Sequence, residues 1–359
     1  MSTQVTSSQV KTGQVTKPPV CFGLVGAGAI AQSYLQAFQN CPEVQLVAVA
    51  DTNFEAAQAM AQKANCKAYS SHTAMADAEK LDAVLVCTPP NTHPDVCTDF
   101  IERRIAILCE KPLCKDVASA RSMILAARSA GVMMTMASKF RYVDDVVKAR
   151  QLVNSGAIGD VVLIENFFTS HVDMTKRWNS NPEISGGGVL IDNGTHSVDI
   201  MRYFLGPLSE IHVVEGKRSQ NLPVDETVHV FVRSTSGILG TVDLSWSINK
   251  ELESYLRIYG SAGTISVGWK ESKFLMAGAK EWKVFGNGYN KVQAFSSQLE
   301  NFARALRGSE QLVVTLEDAL ASVQVVEAGY ASLRDAKWFG IPLAMGRDAA
   351  RPEVTKLVQ

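Results

Sequence analysis

A short apolar run, Val20 to Val25, passes directly into Gly26-Ala27-Gly28-Ala29-Ile30-Ala31, and few sequence features restrict a fold as tightly. A strand that is apolar along almost its whole length is buried on both faces, as in the middle of a parallel sheet. The GxGxxA spacing then turns the chain and opens a helix. Gly26 permits the tight turn, Gly28 lets backbone approach a pyrophosphate, and Ala31 allows close helix-to-strand packing.

Downstream, strand-like and helix-like patterns alternate. Val44 to Ala50, Leu81 to Cys87, Ile105 to Cys109 and Val132 to Met136 read as strands, and Phe54 to Ala64, His93 to Arg103 and Val117 to Ala130 as helices. This predicts an α/β fold whose first domain, residues 20–140, is a Rossmann doubly wound parallel sheet. Residues 1–19, poor in bulky apolar side chains and ending in Pro18-Pro19, read as a tail. After residue 141 the texture changes. Val161 to Phe168, Ile211 to Glu215, Thr227 to Ser234, Ile238 to Ser247 and Tyr255 to Tyr259 are strands with several short turns between them, which predicts an α+β domain, residues 141–359, with a large, mostly antiparallel open sheet. Two closing helices carry the apolar stripes Phe295, Leu299, Phe302, Leu306 and Leu316, Leu320, Val323, Val326, Tyr330, Leu333. The second starts at a Thr315 cap, and both are expected to pack back toward the first domain.

A chain of 359 residues exceeds one typical core and fits two domains. A net charge of -1 offers no basic excess for a phosphate backbone, so nucleic acid is not an expected partner. No apolar run approaches a membrane span and no secretory pattern opens the chain, so a cytoplasmic protein without membrane association is expected. The seven cysteines all lie in the first third; their odd number and the lack of paired CxxC motifs argue against disulfides and against a metal site. Cys109 and Cys114, which bracket the motif Glu110-Lys111-Pro112, read as buried small residues.

Asp51 ends the second strand. Its carboxylate suits an adenosine ribose and repels a 2'-phosphate, which favours NAD, with NADP as the alternative. Cys87-Thr88-Pro89-Pro90-Asn91-Thr92-His93 and Glu110-Lys111-Pro112 follow later strands, so both open on the sheet edge where ligands bind. Lys111 there can stabilise an incipient alkoxide. In Gly186 to Asp199, helical spacing puts Asp192, His196, Asp199 and Tyr203 on one stripe. A carboxylate and an imidazole four residues apart suit proton transfer; they equally suit a solvated helix face. Lys176, Arg177 and Trp178 precede the triple glycine Gly186 to Gly188, which reads as a close-packed entry for a ligand.

With those pieces in order, together with Leu256 to Thr264 and Thr315 to Leu343, the chain resembles the glucose-fructose oxidoreductase, inositol dehydrogenase and rhizopine catabolism (Gfo/Idh/MocA) family. The resemblance implies a nicotinamide-dependent oxidoreductase acting on a sugar, sugar derivative or cyclitol, assembled as a homodimer or homotetramer through the C-terminal sheet. It makes Lys111, Asp192 and His196 the catalytic set and implies a cis peptide before Pro112. The cofactor contacts expected are Gly26, Gly28, Ala29, Ile30, Asp51, Thr88, Pro89, Asn91, His93, Glu110 and Lys111. Arg141 and Trp178 join Asp192 and His196 as substrate contacts, with His196 as proton carrier and Asp192 as its orienting companion. Two alternatives remain open: a dinucleotide-sensing regulator without catalysis, and an enzyme that uses transient NAD oxidation for glycoside cleavage or epimerisation.

Overall fold

The computed structural model describes residues 18–342; most of the expected tail and the last residues, 343–359, lie outside them. Six parallel strands form the first sheet: β1 (Val20–Val25), β2 (Val44–Ala50), β3 (Lys67–Tyr69), β4 (Ala83–Val86), β5 (Ala106–Glu110) and β6 (Met134–Ala137). Their order is β3-β2-β1-β4-β5-β6. The helices α1 (Ala29–Asn40), α2 (Phe54–Ala64), α3 (His72–Ala78), α4 (His93–Glu102) and α5 (Val117–Ala130) alternate with the strands. Strand order reverses between β1 and β4, and a crevice at such a reversal is the usual ligand site of an open parallel sheet. The sequence patterns do not reveal β3 and α3, since three strand residues carry no readable period.

The turn after β1 shows why glycine is needed at position 26. Its φ is +94°, and a Cβ there would lie 2.8 Å from the carbonyl carbon of Cys87, at the end of the neighbouring strand. The close approach keeps the β1 and β4 strand ends together, with Cys87 N–H donating to Val25 O at 2.7 Å.

The second sheet has nine strands: β7 (Val161–Thr169), β8 (Leu208–Glu215), β9 (Thr227–Ser234), β10 (Leu239–Ser245), β11 (Ser254–Gly260), β12 (Gly263–Gly268), β13 (Ser272–Met276), β14 (Lys283–Gly286) and β15 (Phe339–Gly340). The order is β14-β13-β12-β11-β7-β10-β9-β8-β15, and every pair is antiparallel except β7 with β10. The fold class is therefore the expected one. Along β9, Val228, Val230 and Val232 are buried while His229 and Arg233 are exposed, so one face holds a core and the other is open.

Five more helices complete the fold: α6 (Asp144–Asn154), α7 (Pro182–Ser185), α8 (Val189–Leu205), α9 (Lys291–Leu306) and α10 (Leu316–Asp335). The α9 stripe seals one face of the first sheet: Phe302 lies 5.7 Å from Phe22, and Phe295 lies 4.1 Å from Tyr34. Helix α10 starts in a capping box between Thr315 and Asp318. Its Ala319 and Val323 join the core on the other face of that sheet, while Val325, Val326 and Ala328 join the core of the second sheet. One helix thus ties two cores together and sets how α8 faces the first sheet. The solvated-face reading of α8 fails: Asp199 is fully buried and His196 nearly so, because α8 packs against β7, β10 and α10.

Candidate active site

The strand ends and α8 enclose a cavity of about 780 Å³. At its cofactor end lie Gly28, Ala29 and Ile30, the start of α1. Gly28 caps this helix without a side-chain hydrogen bond, and no acidic residue occupies the first turn. The free N–H groups and the positive end of the helix dipole therefore suit a pyrophosphate. Asp51 stands beside them, its carboxylate held by Ala27 N–H at 2.7 Å and Asn53 N–H at 2.8 Å. Thr52, Ser71 and His72 continue the lining. The only Lys or Arg side chains lining the cavity among the described residues are Lys111 and Lys139, which come from the ends of β5 and β6. Among the described residues, no Lys or Arg lines the cavity beside Asp51 to meet a 2'-phosphate.

From the loop after β4, Thr88 and Pro89 line the cavity, but Asn91 and His93 do not. Asn91 is exposed. His93 is fully buried: its Nδ1 lies 3.0 Å from Pro112 O and its Nε2 lies 2.8 Å from Thr88 O. These two expected cofactor contacts are thus not brought to the cavity wall, because the turn aims Asn91 outward and His93 staples the β4 and β5 loops together.

At the end of β5, buried Glu110 accepts from Tyr34 Oη at 2.7 Å and from Lys111 N–H at 3.1 Å. The Lys111–Pro112 peptide is cis, as the family resemblance implies. Lys111 Nζ donates to Asp192 Oδ1 at 2.5 Å and to Asp192 O at 3.1 Å. Asp192 therefore holds Lys111. No hydrogen bond joins it to His196 among the described residues, so the pairing read from the helix spacing is replaced by one across 81 positions of sequence.

His196 lines the cavity one turn further along α8, packed edge-on to Phe140 at 5.1 Å between ring centres. Burial, reinforced by the positive charges of Lys111 and Lys139, holds its pKa well below the ordinary histidine value, so the ring is neutral near pH 7. Its Nδ1 is buried without a partner among the described residues. That leaves Nε2 as the atom able to take a proton from a ligand in the cavity.

The position of α8 depends on residues far from it in sequence. Asp225, buried in the loop before β9, accepts from Gly188 N–H at 2.9 Å, Leu190 N–H at 2.7 Å and Tyr330 Oη at 2.9 Å. A Cβ on Gly188 would fall 2.0 Å from Asp225 O. The triple glycine is therefore close-packed against protein and does not line the cavity, contrary to its reading as a ligand entry. Asp225→Ala is expected to strip three buried donors of their acceptor and to destabilise the fold by about 3 kcal/mol or more in urea unfolding. Unchanged stability would show that α8 is held elsewhere.

Arg141 is absent from the cavity wall. It is buried in ion pairs with Asp199, at 2.6 Å, and Asp318, at 3.1 Å, with Ser138 Oγ adding a bond to Asp199. Its charge joins the β6 exit to α8 and α10, so this expected substrate contact is not brought to the cavity wall. Trp178, 43% exposed, does line the cavity, whereas Lys176 and Arg177 do not. The residue missed from the sequence is Lys139, which lies in the same Lys139-Phe140-Arg141-Tyr142 run. A short 3₁₀ turn over Lys139–Tyr142 sends Lys139 into the cavity and Arg141 away from it. Its place just past a core strand, at the edge already marked by Lys111, was the available signal.

Among the described residues, no helix is long and apolar enough to cross a membrane and no group of His, Cys, Asp and Glu is arranged to hold a metal. All seven cysteines are free. Burial pushes the Cys109 and Cys114 thiols up, which makes them unreactive.

Comparison with known proteins agrees with this geometry. The family profile described as an oxidoreductase family with an NAD-binding Rossmann fold matches residues 20–138, and that of the GFO/IDH/MocA C-terminal domain matches residues 146–266. Inositol 2-dehydrogenase of Rhizobium meliloti is 25% identical over 342 residues, covering 90% of this chain and 99% of that one. Trans-1,2-dihydrobenzene-1,2-diol dehydrogenase of Mus musculus is 29% identical over 280 residues, covering 76% and 83%. The structure of levoglucosan dehydrogenase in complex with NADH superposes with a TM-score of 0.84 at 19% identity, over 91% of this chain and 100% of that one. The chain belongs to the Gfo/Idh/MocA family of oxidoreductases, with an NAD-binding Rossmann domain over residues 20–138.

Proposed function

We propose that this protein oxidises a secondary alcohol of a cyclitol, sugar or sugar derivative, with His196 taking the hydroxyl proton and Lys111 stabilising the oxygen left behind. The observation that carries the reading is the convergence of Lys111, Asp192 and His196 on the same cavity wall as the α1 N-terminus and Asp51. Bound NAD supplies the hydride acceptor. A neutral imidazole is ready to accept a proton, and a lysine clamped by a carboxylate presents its charge at a constant place. Asp192 acts through Lys111, fixing its ammonium. Relatives named for inositol, a cyclic diol and levoglucosan support the substrate class.

The open face of the nine-stranded sheet, where Phe231 packs on His229 at 4.7 Å and His212 on Trp338 at 5.7 Å, suits association of two or four copies. Seven free thiols suit the reducing cytoplasm.

The test is a panel of inositols, sugars, sugar acids and nucleotide sugars, each assayed for NADH and NADPH formation. Steady NADH formation with at least one polyol is expected, with NAD preferred over NADP because Asp51 faces the ribose end. A preference for NADP would reverse the role given to Asp51. Turnover of substrate without net NADH would favour the reading in which NAD is transiently reduced and recycled.

A further inference from the structure

Lys139 is the cation in the cavity that the proposed reaction does not use. Its ammonium lies over two aromatic rings, with Nζ 5.4 Å from the centre of Phe140 and 5.6 Å from that of Phe295. Among the described residues it has no carboxylate within salt-bridge distance and no hydrogen-bond acceptor. The carboxylates near it are committed elsewhere: Glu110 to Tyr34 and the Lys111 N–H, Asp192 to the Lys111 ammonium. An ammonium with three donors, mostly shielded from water, needs oxygens from a ligand.

Its position narrows what that ligand is. Glu110 and Ala137 are paired across β5 and β6. Lys111 follows the first by one residue and Lys139 follows the second by two. The two lysines therefore leave adjacent strand ends, which lie about 4.8 Å apart. Both lysines line the one cavity with His196, so a ligand held at Lys111 and His196 has Lys139 on the same wall. Counting charges around the pair, Lys111 and Lys139 balance Glu110 and Asp192, so a neutral polyol fits without leaving an unpaired charge.

We propose that Lys139 is a substrate-anchoring residue: its ammonium takes the hydroxyl next to the carbinol being oxidised, and the site thereby selects vicinal diols over isolated secondary alcohols. This rests on the dehydrogenase reading above. The groups facing Lys139 are Glu110 and Lys111 from β5 and its loop, Asp192 and His196 from α8, and Lys291 from α9. Burial outweighs the two carboxylates and brings its ammonium down to about 8. A lysine is charged below its pKa, so the anchor is at full strength near neutrality and weakens as pH rises through that value.

The experiment compares 1,2-cyclohexanediol with cyclohexanol as substrates for the wild type, Lys139→Met and Lys139→Gln at saturating NAD. The wild type is expected to favour the diol. Lys139→Met is expected to lose about 10- to 100-fold in kcat/KM for the diol, mostly through KM, with little change for cyclohexanol. Lys139→Gln, which keeps a donor without the charge, falls between. NAD affinity, read by protein fluorescence, stays at the wild-type value in both variants. In the wild type alone, KM for the diol climbs above about pH 8. Equal losses on both alcohols, an unchanged KM for the diol, or loss of NAD binding in both variants would overturn the assignment. If the wild type forms no NADH with these two alcohols or with any polyol of the panel, the dehydrogenase reading itself fails, and the anchor with it.

Discussion

His196→Ala is expected to lower turnover by about 10²-fold or more while leaving NAD affinity unchanged. His196 lines the cavity, yet among the described residues it makes no hydrogen bond to the groups that frame the cofactor end, so its removal takes away the proposed proton acceptor without disturbing the α1 N-terminus or Asp51. The sign of the pH dependence follows from its depressed pKa. Burial and two lysines disfavour the charged ring, so the imidazole stays neutral through pH 6.5 and well below. The acid limb of alcohol oxidation is therefore expected well below the ordinary histidine range. Stability carries the same signature: between the folded and unfolded pKa values the unfolded chain binds the extra proton. The contribution of His196 is thus fully present above about pH 6.5 and is lost as pH falls toward the folded value. His196→Ala should flatten that part of the stability curve in urea unfolding at a series of pH values. Full activity in this variant would remove His196 from the chemistry.

Lys111→Met is expected to cost about 10²- to 10³-fold in kcat, since it removes the cation proposed to stabilise the developing alkoxide. Lys111 is 15% exposed and Asp192 22%, so water screens the charge weakly and its effect on the transition state is large. The variant also leaves Asp192 without its partner, and that carboxylate then opposes the same negative charge. Asp192→Asn should accordingly cost less than Lys111→Met, because it loosens the lysine and keeps its charge. Single-turnover measurement of NADH formation separates these losses from product release. Wild-type turnover in Lys111→Met would show that the oxygen is stabilised by another group, with Lys139 the first to examine.

Much of the fold was legible because its signals are local. The apolar run of β1, the glycine at φ +94° and the period of α2 and α5 each lie within a window of a few residues. Helices Phe54–Ala64 and Val117–Ala130 carry caps at both ends, Asn53 and Asn65 for one and Asp116 and Gly131 for the other, which sharpen their boundaries. The site was legible in part for the same reason. Strand ends locate Lys111, Asp51 and Thr88, and helical spacing puts Asp192 and His196 on one stripe.

By itself the sequence determined a dinucleotide-binding sheet, a second mostly antiparallel sheet, and a helix bearing Asp192 and His196 between two strands of the latter. Only the tertiary structure decided what those side chains do. It turned Asp192 to Lys111, buried His196 deeply enough to keep it neutral, sent Arg141 into the core with Asp199, and brought Lys139 into the cavity. The physical reason is that backbone form follows from spacing along the chain, whereas the charge and partner of a side chain follow from groups that meet only when the chain is packed. Asp225 and Tyr330, distant in sequence, hold the start of α8 and so aim Asp192 and His196 into the cavity.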